Sequence, residues 1–169
     1  MKLRSVAAAV LLAASALVFA TLIKTDAVRG RAQARNADGR AVTVSSQAAK
    51  ITHNDAKGFQ GVFELGQASA NATSPMISLR MAKPDELNVT DNKGTFAGPG
   101  VLRVTLNGVT TTYEGRIAVA VVSNRHLGEP GDPDAIEVNF RPNSATAPTY
   151  HFAGLVYEGD LEVSSLYSY

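Results

Sequence analysis

The sequence predicts an all-β protein: a single antiparallel β-sandwich or β-barrel, preceded by an N-terminal signal or anchor helix. Three observations predict it. Apolar and polar residues alternate over short runs through the second half of the chain, as in strands with one face in a core and one in water. Gly, Pro and Asn-Gly interrupt those runs at spacings of about 8–15 residues, the rhythm of a sandwich or barrel. Beyond the first 23 residues no segment carries a helical period. The 169 residues suffice for one domain with its own core. With no cysteine, the chain has no disulfides, no thiolate zinc site and no thiol catalysis.

At the N-terminus, Lys2 and Arg4 precede an uncharged apolar run from Val6 to Ile23. That is the layout of a secretory signal. The run also has about the length of a bilayer span, so an uncleaved anchor is the alternative. Three places end in alanine with a small or tolerated residue two before it: Val18-Phe19-Ala20, Thr25-Asp26-Ala27 and Ala32-Gln33-Ala34, the last fitting the small-x-small rule best but lying rather far from the apolar run. Residues 1–27 are therefore expected to be the signal peptide, with cleavage as late as residue 34. Residues 28–58 read as a flexible leader with a short strand at Ala41–Ser45, and residues 59–169 as the β domain. Cleavage after Ala34 leaves 11 basic and 14 acidic residues, a net charge of −3. The half after Glu114 is the more acidic. A nucleic-acid partner needs clustered Lys or Arg, which that half lacks. An extracellular or cell-surface partner, or a cationic ligand, suits it better. The membrane is met only through the N-terminal segment if that segment stays attached.

Within the domain, Phe59, Phe63 and Leu65 share one parity of a strand over Phe59–Gln67. Ile77, Leu79 and Met81 do so over the next, bracketed by Pro75 and Pro84. Leu87 and Val89 form a short strand ahead of a turn at Asp91-Asn92. Asn107-Gly108 then predicts a type I′ hairpin. It sets Leu106 opposite Val109, Val104 opposite Thr111 and Leu102 opposite Tyr113, with that face buried. Ile117, Val119 and Val121 point inward on the following strand, whose second face, with Ala118 and Ala120, is small enough to be partly covered. Ile136, Val138 and Phe140 come next. Tyr150, Phe152, Gly154 and Val156 follow, and Glu158-Gly159 reads as a tight turn into Leu161–Val163.

One loop carries most of the local charge, Ser123 to Asp134, reading S-N-R-H-L-G-E-P-G-D-P-D. Glu129, Asp132 and Asp134 are hard oxygen donors, and Gly128 and Gly131 free nearby carbonyls, so the loop is the candidate calcium site. The plain alternative is a turn in which the prolines fix φ and aspartate caps backbone amides. His126 reads as a surface residue of that loop, His53 as a solvated residue of the leader, and His151 as a strand-face histidine. No nucleophile elbow, zinc-protease motif or phosphate loop is present. The carboxylate pairs Glu137/Glu162 and Asp132/Asp134 are the remaining acid–base candidates.

Several of these features occur together in order. They are Gly94-Thr95-Phe96-Ala97-Gly98 with Gly100, Asn107-Gly108, Gly128-Glu129-Pro130-Gly131-Asp132, the strand from Ala135, and Tyr150-x-Phe152-x-Gly154-x-Val156-x-x-Gly159. Over about residues 92–163 the chain resembles the post-COAP-type β-domains of secreted bacterial proteins. It departs from them in the longer, less acidic approach at Ser123–Leu127 and in Glu158-Gly159-Asp160-Leu161 where they end in Gly-Gly-Asn-Ile. The resemblance implies a small exported β-domain, an accessory to larger proteins, without catalytic residues. The functional expectation is thus an exported non-catalytic β-domain that binds at the cell surface or outside the cell. Two alternatives stand beside it. One is an enzyme or small-ligand barrel with Phe59, Tyr113 and Phe152 lining a cavity. The other is a small outer-membrane barrel, suggested by Leu161, Val163, Ser165, Tyr167 and Tyr169 alternating to an aromatic end.

Overall fold

The computed structural model describes residues 22–71, 73–124 and 131–168. Ten strands account for 73% of them: β1 (Ile23–Arg35), β2 (Ala41–His53), β3 (Ala56–Gln60), β4 (Phe63–Gln67), β5 (Met76–Met81), β6 (Glu86–Thr90), β7 (Lys93–Leu106), β8 (Val109–Val122), β9 (Ala135–Pro142) and β10 (Tyr150–Ser168). Eight close into an antiparallel barrel in the order β1-β10-β9-β8-β7-β5-β4-β2, and β2 returns to β1. Each barrel strand pairs with its neighbours in sequence, so the topology is up-and-down. The two short strands are additions. β3 pairs β2 beyond β4, and β6 pairs the first part of β7 where β5 no longer reaches. The expectation of a sandwich or barrel thus resolves to a barrel. The expected signal or anchor helix lies outside the described residues.

The strand expected over Phe59–Gln67 breaks at Gly61 into β3 and β4, and two longer parts of the chain differ from expectation. Residues 28–58 are not a flexible leader: they belong to β1, β2 and β3, and Val28, Ala32, Ala34, Val42, Val44 and Ala48 are buried in the core. β1 begins inside the segment expected to be removed, at Ile23. The pattern was hidden because the inward positions there are mostly small or polar. In the second place, Glu158-Gly159 is no turn. β10 runs through it, and the register on β1 slips so that Gln33 faces Glu158 while Ala34 faces Val156. Tyr157 is the extra residue of a β-bulge, and Gly159, at φ 81°, absorbs the bend.

Asn107-Gly108 forms the predicted hairpin, with φ of 52° and 75° and the predicted register. Its apolar face is buried only in part. Leu102 is inside, but Leu106 and Val109 are exposed because the hairpin tip projects past the rim of the barrel. β8 buries Ile117, Val119 and Val121 as expected, and its other face is partly covered, half-buried at Ala120 and Val122 and exposed at Arg116 and Ala118. Asn54-Asp55 makes a second two-residue turn with both φ positive, at 46° and 64°.

The interior is hydrocarbon. Phe63, Leu65, Leu79, Met81, Phe96, Leu102, Ile117, Val138, Phe140, Phe152 and Leu161 form one cluster, and Phe63 meets Phe96 edge to face at 5.6 Å. Phe152 is fully enclosed, with Phe59 and Tyr113 half-buried against the same cluster. Side chains fill the space to the backbone. A methyl group on Gly94 would come within 2.4 Å of Val28, and one on Gly100 within 2.3 Å of Ile117. Such density is that of a small barrel packed solid. The outward residues are polar along most strands: Arg29 and Arg31 on β1, Thr43 and Gln47 on β2, Glu64 on β4, Arg80 on β5, Arg103 on β7, Thr110, Thr112, Glu114 and Arg116 on β8, Glu137 and Arg141 on β9.

Candidate functional site

The loop expected to bind calcium contributes unevenly. Glu129 and His126 lie outside the described residues. Asp132 is exposed, while Asp134 is completely buried. Its burial follows from the strand pattern. β9 and β10 pair only as far as Ala135 opposite Leu155, and past the bulge β10 has no strand on that side. Asp134 fills the gap. Its Oδ2 accepts the Leu161 N–H at 3.2 Å, its Oδ1 accepts the Asn124 N–H at 2.8 Å, and its backbone carbonyl accepts the Val156 N–H at 2.8 Å. One aspartate therefore ties the end of β8 to β10, the capping role a turn aspartate can take. Among the described residues no three His, Cys, Asp or Glu side chains gather as a metal site.

Asp160 sits beside Asp134. Burial first, and the neighbouring Asp134 carboxyl second, raise its pKa above the ordinary aspartate value. One of its oxygens, Oδ1, is enclosed without a hydrogen-bond partner. A carboxyl whose folded pKa is raised favours the fold below the unfolded value and loses that contribution as pH rises through the folded value. Asp160→Asn is accordingly expected to raise the melting temperature at neutral pH and to have no such effect in acid. An unchanged or lower melting temperature at neutral pH would contradict this.

The other acid–base candidates stay apart. Glu137 on β9 has Asn139 at 2.9 Å and His151 at 3.5 Å, both on the surface. Glu162 lies opposite Arg29, nine residues along β10 from Ala153, the partner of Glu137. His53 is exposed at the end of β2.

A second buried carboxylate, Asp26 on β1, escaped the sequence reading because it fell in the segment expected to be cleaved. It is fully enclosed. Lys50 of β2 reaches Oδ2 at 2.7 Å, while Lys24 stands 2.9 Å from Oδ1 and the Ser165 hydroxyl of β10 donates to Oδ1 at 2.7 Å. Lys50 also donates to the Leu87 carbonyl of β6. Burial acts to raise the Asp26 pKa, but Lys50, Ser165 and Lys24 outweigh it and hold the carboxyl below its ordinary value. The cluster joins four strands around one charge, and every partner is engaged in holding the barrel.

Open space therefore lies on the outer wall. A groove of about 640 Å³ runs between β1 and β2, lined by Arg29, Arg31, Ser45, Gln47 and Gln60. A larger one, about 940 Å³, crosses β4, β5 and β7 past Glu64, Arg80, Arg103 and Glu114. In that one Arg80 is paired with Glu64 at 3.3 Å. A third, about 260 Å³, lies over Ala97, Ala118 and Ala120 between Glu86 and Glu137. Set against known proteins, the chain matches no family model, no curated protein and no solved structure.

Proposed function

We propose that the chain is an exported β-barrel that works by binding, from its outer wall, and performs no covalent chemistry. The distribution of polarity carries this reading. Hydrocarbon fills the inside, and the buried carboxylates Asp26 and Asp134 are committed to strands. The outward faces carry Arg, Glu, Thr and Gln. A barrel that meets lipid has the reverse arrangement, apolar outside and polar within. A barrel that carries a small ligand inside needs room there, and Gly94 and Gly100 have none for a methyl group. What remains for a partner is the surface.

Export rests on Lys2, Arg4 and the apolar run, and the likeness to post-COAP-type domains points the same way. Of the three cleavage points, only the one after Ala20 leaves β1 whole, since β1 begins at Ile23. The mature chain then begins at Thr21 and keeps 14 basic and 15 acidic residues, a net charge of −1.

Expression of the full chain in a secreting bacterium tests the proposal. The expected product leaves the cytoplasm, stays in solution without detergent, and has the intact mass of a chain starting at Thr21. Extraction only by detergent would favour a membrane barrel. Turnover of any substrate that is lost on changing one carboxylate would make the protein an enzyme.

A further inference from the structure

We propose that the groove between β1 and β2 is a binding site for the acidic group of a saccharide, with Arg29 and Arg31 as its anion-binding residues. This rests on the proposed function, because it names the ligand of a binding barrel. The two arginines stand two residues apart on one strand, so both leave the same face about 6–7 Å apart. Cross-strand pairing sets Gln47 beside Arg29 and Ser45 beside Arg31, and Gln60 completes the lining. Neither arginine has a carboxylate within 4 Å among the described residues, and none of the five side chains hydrogen-bonds to a described neighbour. Of the other outer arginines, Arg103 and Arg141 are also without such a partner among the described residues, but neither shares a groove with a second free arginine, and the rest are engaged. Arg80 pairs with Glu64, Arg116 with Asp85 and Glu86, Arg40 with the His151 carbonyl, and Arg35 lies over the Tyr157 ring.

The surroundings narrow the ligand. On its other side β1 faces β10, which sets Glu162 opposite Arg29 and Asp160 opposite Arg31. A long, uniformly charged polyanion crossing the site would run onto those acids. A single acidic group entering from the β2 side meets two guanidinium forks, which match a carboxylate or sulfate. Beside Gly30, Ala49, Gly61 and the buried Ser46, the free polar side chains of the lining are two amides and a hydroxyl, which donate and accept in turn and suit a carrier rich in hydroxyls.

Calorimetric titration of the barrel with a glucuronate-containing disaccharide tests the assignment, with acetate and the uncharged glucose-containing disaccharide as controls. Saturable binding of the acidic disaccharide alone is expected, weakening as salt is added. Arg29→Gln or Arg31→Gln should each weaken it about tenfold or more, since each removes a charge-assisted hydrogen bond. Glu162→Gln should tighten it by removing a competing carboxylate. Absence of binding, equal affinity in the arginine variants, equal binding of the neutral sugar, or acetate binding as well as the disaccharide would each overturn the inference. All of these outcomes leave the proposed function standing if the protein is secreted and inert. Consumption of the disaccharide during titration would instead remove the proposed function.

Discussion

A chain cut to begin at Arg35 is expected to show no cooperative unfolding, whereas one beginning at Thr21 melts in a single transition. β1 is registered with β10 over thirteen residue pairs and with β2 over thirteen more. At about 1 kcal/mol net per backbone hydrogen bond, even half of these equals the whole stability of a small domain, about 5–15 kcal/mol. The cut also removes Val28, Ala32 and Ala34 from the core and Asp26 from its lysines. It leaves β2 and β10 as long unpaired edges, which invite association between molecules. Circular dichroism during heating, with sedimentation to detect association, distinguishes the outcomes. A cooperative transition in the shorter chain would mean that the barrel closes without β1.

Asp26→Ala should cost about 3–5 kcal/mol, the range for removing one partner from a buried charge pair. Lys50 is the reason, with its side chain only 13% exposed, while Lys24, at 33%, keeps part of its water and moves the expectation toward the lower end. The effect depends on pH with a definite sign. The folded pKa of Asp26 is below the ordinary value of 3.8. Its contribution is therefore complete above that value and is lost as pH falls through the lower value of the folded state. Urea unfolding of parent and variant should show a wide gap at neutral pH that narrows in acid. A constant gap would assign the loss to the packing of the side chain and not to its charge.

How much of this could be read from the residues differs along the chain for physical reasons. From Leu87 onward large apolar residues alternate with polar ones, and the hairpin register at Asn107-Gly108 follows from turn chemistry alone. The inward faces of β4, β5, β8 and β9 were legible because Phe63, Leu79, Val119 and Val138 are large. β1 and β2 were not. Their inward positions include Lys24, Asp26, Gly30, Ala32, Ala34, Ser46, Ala48 and Lys50, which read as polar or featureless. Lysine and aspartate belong there because they neutralise one another, which a hydropathy pattern does not register. The same blindness hid Arg29 and Arg31, whose significance depends on β10 and β2 flanking them. Asp134 was legible as a turn aspartate, and its reach to Leu161 was not, since that residue lies 27 positions on and beyond a bulge in β10.

The pairing of Ile23 with Ser168 sets the order in which this protein can assemble. β1 and β10 share one seam, so the longest loop among the strand pairings is also the one that closes the cylinder. Contacts this distant in sequence slow folding, because the entropy of bringing them together is spent before they contribute. While the chain emerges from a ribosome or a membrane pore, β1 can pair with β2 but has nothing on its other side. The final strand must arrive before the first is sheltered. A chain with β1 moved to follow β10 through a short linker only shifts the closing seam to β1 and β2, which also spans thirteen pairs, so it should refold at about the same rate as the natural order.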